Sequence, residues 1–487
     1  DVGGGFGAKH GTTPEELLVP WLARRTGRPV RWAETRSENL VGMVHGRGQV
    51  QHATLGGTRD GRITGYRLDV LQDAGAYAGM GAVLPYMTRL MAPGCYAIDD
   101  VDVRIRSAVT NTTSVGAYRG AGRPEAAAAI ERMVDRFASE IGMDPAEVRR
   151  RNLLPPEAFP LQTATGGSYD SGAYEAVLDL ALEAVGYEDL RTRQAERRAA
   201  GDAVHLGIGI SVYVEITNPV NDSEFGSVEI TPDGGAIVRT GSSAHGQGHH
   251  TAWAMLVSDR TGIPVDRVEV RHGDTDDVAR GSGTGGSKSL QIGGSAAVAA
   301  ADLVIEQARQ LAAELLEADP ADVVLDTTTG AFAVAGAPVS ARTWADLAAA
   351  APAAGIERLL AETDYTPGGS SFPFGAHVTV VEVDTDTGGV RLLRHVACDD
   401  AGTIINPLIV DGQVPLTTTL ADYSFPAASE MPPIERIPHE TPTPLNPLGA
   451  KGIGEAGTIG ATPAVQNAVV DAVAHLGVRH IDMPLTP

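Results

Sequence analysis

Five glycine-rich loops constrain this 487-residue chain more than any other feature of its sequence. They occupy residues 3–7, 119–123, 245–249, 281–289 and 452–458, and are called here the first to fifth glycine loops. Several of them run directly into a predicted helix. Such loops let backbone N–H groups approach an anion closely, and the N-terminal end of a helix favours negative charge. One loop of this kind is usually an ordinary turn, but five together predict a large, phosphate-bearing ligand held from several sides.

The chain mixes helical and strand patterns. Residues 123–141 are predicted to form a helix, because apolar side chains recur at helical spacing between Pro124 and Gly142. Residues 295–318 form a second, alanine-rich helical tract. Alternation of apolar residues around a turn predicts two hairpins, and a short apolar segment predicts one more strand. These stretches are 227–231 with 236–240, 377–383 with 390–394, and 30–32. The pattern predicts an α+β fold.

Length and local composition predict two domains. A chain of 487 residues exceeds what one core usually organises, and the polar, charged stretch 192–202 is typical of a boundary. We therefore expect a first domain over residues 1–195 and a second over residues 203–487. The sequence starts at Asp1 without a methionine, in what looks like the end of a strand. We expect the first domain to be incomplete at its N-terminus.

Charge and cysteine content exclude several classes of protein. A net charge of −23 repels phosphate backbones, so nucleic acid is not an expected partner. No apolar run approaches the roughly 20 residues of a membrane helix, so no membrane partner is expected. Cys95 and Cys398 are the two cysteines of the sequence, whereas an iron–sulfur cluster usually needs about four thiolates. So few cysteines favour a reducing compartment, and we expect a cytoplasmic location.

Three local patterns leave alternatives open. Residues 452–457 match the dinucleotide fingerprint G-x-G-x-x-G, which would suit an NAD-dependent dehydrogenase if a strand preceded it. His245, His249 and His250 could bind a metal, but glycines separate two of them, and hydrogen bonding to a polar ligand is the expected role. Glu455 lies between glycines, with Lys451 as its nearest cation in sequence. It could be a buried general base with a raised pKa or an exposed helix cap.

The loops, in this order, resemble the large subunit of the molybdenum hydroxylases: xanthine dehydrogenase, aldehyde oxidase and the carbon monoxide dehydrogenase-like proteins. GGGFGAK at residues 3–9 is similar to the first cofactor loop of that family, and AYRGAGRPE at 117–125 is similar to the second. GQGH at 246–249, GDT at 273–275 and GTGGSKS at 283–289 follow in family order. NPLGAKGIGEAG at 446–457 is the best match of all. The resemblance covers nearly the whole chain.

The resemblance implies two molybdenum-cofactor-binding domains and a specific chemistry. The cofactor would be molybdenum-molybdopterin, expected as the cytosine dinucleotide, with the metal held by the pterin and by no protein ligand. Glu455 would be the catalytic base in the insertion of a water-derived oxygen at an electrophilic carbon of an aldehyde or N-heterocycle. The residues expected to bind the cofactor are Gly5, Phe6, Gly7, Arg119, Gly246, Gln247, Gly248, His249, Thr275, Thr284, Gly286, Ser287, Lys288 and Ser289.

The resemblance also implies partners, because this chain has no electron relay of its own. The electrons would pass to an iron–sulfur subunit and a flavin (FAD) subunit, in a dimer of heterotrimers. Relatives that oxidise carbon monoxide carry a copper-holding cysteine directly after the arginine of the second glycine loop, where this chain has Gly120. A carbon hydroxylase is therefore favoured over carbon monoxide oxidation.

Other departures from the family pattern support a rival interpretation. His250 and Lys288 stand where many relatives carry Glu and Arg. A family N-terminal region with a glutamine near molybdenum is not in the sequence, and the segment after Val414 is shorter than expected. These differences would suit a non-catalytic or degenerate homologue that lacks the cofactor.

Overall fold

The computed structural model describes residues 4–407, 433–483 and 485. The helices are α1 (Pro14–Thr26), α2 (Arg36–Gly42), α3 (Leu84–Met91), α4 (Arg123–Ile141), α5 (Pro145–Asn152), α6 (Tyr174–Val185), α7 (Tyr187–Ala200), α8 (His249–Thr261), α9 (Ser295–Leu316), α10 (Trp344–Ala350) and α11 (Ala456–Val473). A π-helical turn, Ser289–Gly294, leads into α9. The segment after Val414, predicted to be shortened, lies outside the described residues.

The strands form several small sheets. In chain order they are β1 (Gln49–Gly57), β2 (Ile63–Asp73), β3 (Asp100–Ala108), β4 (Leu161–Gln162), β5 (Ser168–Tyr169), β6 (Val204–Val214), β7 (Glu224–Ile230), β8 (Ala236–Thr240), β9 (Val268–Arg271), β10 (Val323–Asp326), β11 (Ala331–Val334), β12 (Ala337–Thr343), β13 (Leu360–Tyr365), β14 (Phe374–Asp384), β15 (Val390–Asp400) and β16 (Ile434–His439). The two larger sheets have the orders β16-β15-β14-β6 and β13-β7-β8-β9. Mixed sheets with interspersed helices confirm the predicted α+β class.

Helix α4 forms where the periodicity predicts it. Pro124 occupies its first turn, where a missing backbone N–H costs nothing, and Gly142 ends it in a left-handed conformation. Its apolar face, with Ile130 and Val134, lies in a core shared with β2, α6, β6 and β14. Burial of each such side chain contributes about 1.5–3 kcal/mol to folding. This core fixes the N-terminus of α4, where the second glycine loop ends.

The two predicted hairpins are confirmed. Strands β7 and β8 pair antiparallel, as do β14 and β15. Strand β6 pairs with β14 along its whole length, and helix α11 packs against both of these strands. A second core lies between the sheet of β7, β8 and β9 and helices α8, α9 and α10.

The structure does not confirm the predicted strand at residues 30–32 or the predicted domain boundary. The predicted strand at residues 30–32 is wrong: the segment pairs with no strand in the described part of the chain, and Trp32 is exposed. Helix α7 occupies most of the polar stretch that suggested a domain boundary, and the division into residues 1–195 and 203–487 stays a prediction. Within the described ranges, no helix is long and apolar enough to cross a membrane.

Candidate cofactor and active site

The first, second and fifth glycine loops meet at Arg119. Its backbone N–H donates to the carbonyl oxygen of Phe6 at 2.8 Å, and its guanidinium lies 5.4 Å from the centre of the Phe6 ring. Its Nε donates to the carbonyl oxygen of Gly454, also at 2.8 Å. One arginine thus joins three loops that are far apart in sequence. Gly5 and Gly7 flank the exposed Phe6 ring in the first of these loops.

The third and fourth glycine loops are joined in a similar way. Thr284 donates its hydroxyl hydrogen to the carbonyl oxygen of Ser243, two residues before the third loop, at 2.6 Å, and Ser289 donates to the Thr284 hydroxyl at 3.3 Å. Gly5 of the first loop faces His245, since a Cβ on Gly5 would lie 3.2 Å from the His245 Nδ1. Together with Arg119, these contacts bring all five loops to one region of the molecule.

Glu455 lies at the centre of this region, immediately before α11. Its Oε1 accepts a hydrogen bond from the backbone N–H of Gly120 at 2.8 Å, and its Oε2 accepts one from the Ser287 hydroxyl at 2.9 Å. The guanidinium of Arg123 lies 2.7 Å from Oε1. The side chain is 16% exposed, so it is largely buried, and both carboxylate oxygens have protein donors.

The exposed-cap expectation for Glu455 is wrong, whereas the expected burial is found without the expected rise in pKa, and the role of general base stays a prediction. It is not an exposed cap, because its side chain makes no cap hydrogen bond to α11 and is mostly buried. Its pKa is not raised either. Burial acts to raise the pKa, but the Arg123 charge, the Gly120 N–H and the Ser287 hydroxyl outweigh it and hold the pKa below its usual value. Glu455 is therefore ionised at neutral pH.

Two residues at the centre of the site were not predicted from the sequence. Arg123 is 3% exposed and begins α4, and its Nη1 lies 3.5 Å from Glu215, which is fully buried just after β6. The sequence does contain a signal for Glu215. A carboxylate inside the apolar run that continues β6 must be buried, and buried carboxylates need a specific partner.

Gly286, Lys288 and Thr275, also predicted to bind the cofactor, make other contacts. Gly286 precedes Ser287 and accepts a hydrogen bond from the Asn218 N–H at 2.9 Å. Lys288 is buried, and its ammonium pairs with Asp222. Thr275 lies in an exposed turn whose Gly273 approaches Ser243, which lies two residues before the third loop.

The third glycine loop ends in a cluster of imidazoles. Gln247 accepts a hydrogen bond from the backbone N–H of His245, inside that loop. His249 begins α8 and packs against Trp253, with 4.4 Å between ring centres. His250 packs against His272 at 4.7 Å. Burial, and then the neighbouring histidines, lower the pKa of His249 to about 4.

The helices that begin at glycine loops have a common feature. Within the described residues, α4, α8 and α11 and the π-turn before α9 all start without a side-chain cap. Of the other helices, α1, α2, α5 and α10 are capped by Thr13, Thr35, Asp144 and Thr343, whereas α3, α6 and α7 also begin without a side-chain cap from any described residue. An uncapped first turn leaves backbone N–H groups available for an anionic ligand. Four such helix starts lie at the glycine loops.

The dinucleotide interpretation of residues 452–457 is wrong on structural grounds. Residues 440–455 contain no strand, so the required strand–loop–helix arrangement is not formed. In the parts of the chain that the structure describes, no group of three or more His, Cys, Asp or Glu side chains is arranged to hold a metal ion. Cys95 and Cys398 are both free, buried and part of the first core.

Family models and sequence relatives indicate which family the chain belongs to. Two family models, each described as a molybdopterin cofactor-binding domain, match residues 1–153 and 180–415. The carbon monoxide dehydrogenase large chain of Hydrogenophaga pseudoflava is 37% identical, over 100% of this chain and 66% of the relative. The nicotine 6-hydroxylase large subunit of Paenarthrobacter nicotinovorans is 34% identical, over 100% of this chain and 64% of the relative.

Comparison with solved structures leads to the same kind of protein as the sequence comparisons. Quinoline 2-oxidoreductase from Pseudomonas putida 86 matches with a TM-score of 0.91 and 35% identity, over 98% of this chain and 66% of that one. A Cu,Mo-CO dehydrogenase matches with a TM-score of 0.92 and 33% identity, over 100% of this chain and 66% of that one. The fold and the family matches thus define a protein with molybdopterin cofactor-binding domains. The chain belongs to the family of molybdenum hydroxylase large subunits. It spans just under two thirds of the length of these relatives.

Proposed function

We propose that this chain holds a molybdenum-molybdopterin cofactor and hydroxylates an electrophilic carbon of an aldehyde or N-heterocycle. The observation that carries the proposal is the position of Glu455, an ionised and partly accessible carboxylate where the glycine loops meet. The overall reaction adds the oxygen of water to a C–H carbon and releases two protons and two electrons. Such a reaction requires a base for the protons and a redox centre for the electrons.

The residues present fit such a cofactor. Added Cβ atoms on Gly246, Gly283 and Gly285 would meet no described atom within 4 Å, so these loops border open space. The His249 Nδ1 and the His272 Nε2 are buried without a hydrogen-bond partner among the described residues. Buried polar atoms normally have partners, and a polar ligand would supply them. With the uncapped helix starts, these atoms suit a large anionic group.

Each loop would then have its own role. Gly246, Gln247, Gly248, His249, Thr275, Thr284, Lys288 and Ser289 would hold the pterin and its phosphates, and the cytosine dinucleotide form is the expected one. Gly5, Phe6, Gly7, Arg119, Gly286 and Ser287 would border the reactive end. When bound, the cofactor supplies the redox centre that takes the two electrons of the substrate carbon. Glu455 accepts a proton at its carboxylate, and Arg123 and Gly120 hold that carboxylate in place.

The second glycine loop favours a carbon hydroxylase over carbon monoxide oxidation. Position 120, where relatives that oxidise carbon monoxide carry a copper-holding cysteine, is Gly120 with φ +102°. A side chain there would be strained and would overlap the ring of Pro124. The thiols of Cys95 and Cys398 are buried in the core instead.

The electrons would leave through partner chains. Relatives are named as large chains or complex subunits, which supports a multi-subunit assembly. We propose an iron–sulfur subunit and a flavin subunit, in a dimer of heterotrimers, because the two cysteines of this chain are too few for a cluster. The two free cysteines also favour a reducing, cytoplasmic location.

The test is Glu455→Gln in the cofactor-loaded protein, assayed with aldehydes and aromatic N-heterocycles. Loss of a catalytic base should lower turnover by at least about 100-fold, while molybdenum content stays at the wild-type value. Glu362→Gln, on an exposed position of β13, is the matched control and should leave turnover unchanged. Near-normal turnover of Glu455→Gln with full molybdenum content would contradict the role of Glu455. Wild-type protein that binds no molybdenum would instead support the degenerate homologue.

A further inference from the structure

A second carboxylate lies beside Glu455 and has no role in the proposed chemistry so far. Glu215 follows β6 directly, and its side chain is 0% exposed. Its backbone N–H donates to the carbonyl oxygen of Pro373 at 2.8 Å, which fixes the residue against the start of β14. Leaving a charged carboxylate in such a place is costly unless hydrogen bonds or an opposite charge compensate it.

The Ser287 hydroxyl lies between the two carboxylates. Its oxygen is 2.9 Å from the Glu455 Oε2 and 3.2 Å from the Glu215 Oε1. A serine hydroxyl has one hydrogen to donate and two lone pairs to accept with. If both carboxylates were ionised, one of them would face the hydroxyl without a hydrogen between the two oxygens. Both contacts are satisfied only if one of the two acids carries a proton.

The other contacts decide which acid carries the proton. Glu455 receives the Gly120 N–H and the Arg123 Nη2, and it is partly exposed. The guanidinium of Arg123 also donates to the carbonyl oxygens of Gly120 and Ile216, the second at 2.5 Å, and comes no nearer than 3.5 Å to Glu215.

Glu215 has far less support for a negative charge. Its Oε2 is buried and has no hydrogen-bond partner in the described residues. A proton on Oε1, donated to the Ser287 oxygen, would satisfy the remaining contact and leave the Ser287 hydrogen for Glu455. The arrangement therefore fits a neutral Glu215 and an ionised Glu455.

We propose that Glu215 is a neutral carboxylic acid that donates to Ser287 and thereby fixes the Ser287 hydroxyl as a donor to Glu455. Glu215 is then a positioning residue for the base, and this role rests on the proposed function of Glu455. Ser287 itself has a backbone φ of +52°, so the loop holds the serine in a conformation that non-glycine residues rarely adopt. The acid and the strained loop together orient one hydrogen bond.

Burial and the charged groups around Glu215 set the pH range in which its carboxyl stays protonated. Arg123 faces it from α4, Arg119 from the second glycine loop and Glu455 from the start of α11, and Tyr213 is the titratable neighbour on its own strand. Burial raises the pKa of Glu215 to about 8, against the opposing effect of Arg123 and with a smaller contribution from Glu455. Above that pH, an ionised Glu215 would compete for the Ser287 hydrogen and repel Glu455.

The first experiment measures protonation directly and does not require the cofactor. Infrared difference spectra between neutral and alkaline pH should contain a carboxylic acid C=O band that disappears near pH 8 in the wild type. The band should be missing from the same spectra of Glu215→Gln. Glu382→Gln is the matched control, because Arg391 and Arg197 hold the pKa of that carboxyl low, and it should keep the band. A Glu215→Gln spectrum identical to that of the wild type would overturn the proposal.

The second experiment measures the consequence in the cofactor-loaded protein. Glu215→Ala removes the donor and should lower kcat roughly tenfold, which corresponds to one lost hydrogen bond. Glu215→Gln, whose amide can donate to Ser287, should recover part of that loss and abolish the fall in kcat above about pH 8. An unchanged alkaline limb in Glu215→Gln would overturn the positioning role. Wild-type protein with the infrared band but without turnover would count against the proposed function and leave the protonation of Glu215 standing.

Discussion

Arg123, the first residue of α4, holds its guanidinium 2.7 Å from the Glu455 carboxylate at the start of α11. The ion pair joins the N-termini of two helices that lie far apart in the sequence. Both groups are largely buried, so the pair is weakly screened by solvent. The pair keeps the pKa of Glu455 low and holds its carboxylate in one place.

Removal of the Arg123 charge should therefore destabilise the protein and raise the pKa of Glu455. Arg123→Met leaves a buried carboxylate without its cation, which typically costs about 3–5 kcal/mol. The measurement is the midpoint of thermal unfolding. Arg280→Met is the control, because the Arg280–Asp364 pair is about half exposed and its loss should cost at most about 1 kcal/mol. Equal shifts in the two variants would contradict the buried role of Arg123.

The contact between the fourth and fifth glycine loops gives a second prediction. A Cβ on Gly452 would overlap the carbonyl oxygen of Ser287, whereas a Cβ on Gly454 would lie 3.5 Å from the Ser287 hydroxyl oxygen. Gly452→Ala should therefore force the loops apart and abolish cofactor retention, while Gly454→Ala should retain it. Molybdenum content of the two purified variants is the measurement. Wild-type molybdenum content in both variants would contradict the prediction, because it would mean that separating the two loops does not affect cofactor binding.

Position 120 gives a third prediction. Gly120→Cys should not create a copper site, because the backbone φ of +102° and the ring of Pro124 leave no room for a side chain. We expect the overlap with the Pro124 ring to lower stability beyond the roughly 1–3 kcal/mol that a strained backbone costs by itself, and the midpoint of thermal unfolding measures the difference. Gly11→Cys is the control, since Gly11 has φ +93° and no described atom near the added Cβ. A Gly120→Cys protein as stable as Gly11→Cys would contradict the steric argument.

Stability should fall in acid because of His395. This residue is buried between Thr379 and His377, and burial, followed by the His377 charge, lowers its pKa to about 3. The unfolded chain, with the ordinary value of 6.5, then binds more protons than the folded protein between pH 6.5 and about 3. The stabilisation is present above pH 6.5 and is lost as the pH falls.

The measurement for His395 is the unfolding midpoint across that pH range. His395→Gln should flatten the acid slope, whereas His480→Gln, at an exposed position, should leave the slope unchanged. An acid slope that is the same in both variants would assign the effect to other groups.

The sequence predicts the local elements of this protein well and its central contacts poorly. Helix α4 and the hairpins of β7 with β8 and β14 with β15 follow from periodicity, because their pattern is set by neighbours in the chain. Residues 30–32 have strand-like composition, but no partner strand pairs with them in the described residues. Strand formation depends on such a partner, which composition does not reveal.

The candidate site shows the same division. The glycine loops and Glu455 stand out in the sequence because glycine spacing is a local signal. The lowered pKa of Glu455 could not be predicted, because Arg123 approaches it only through the packing of α4 against α11. Glu215 had a local signal, a carboxylate in an apolar run, but its relation to Ser287 requires the folded chain. Side chains that share a hydrogen across distant loops have no signature in one sequence.

The cofactor content of the protein tests the central claim most directly. The protein should be expressed in a host that makes molybdopterin, together with the proposed iron–sulfur and flavin subunits. Molybdenum is then quantified by mass spectrometry, and the nucleotide released by acid is identified. The account predicts near-stoichiometric molybdenum with cytidine monophosphate. Protein that is folded but contains neither molybdenum nor nucleotide would contradict the account and identify the chain as a degenerate homologue.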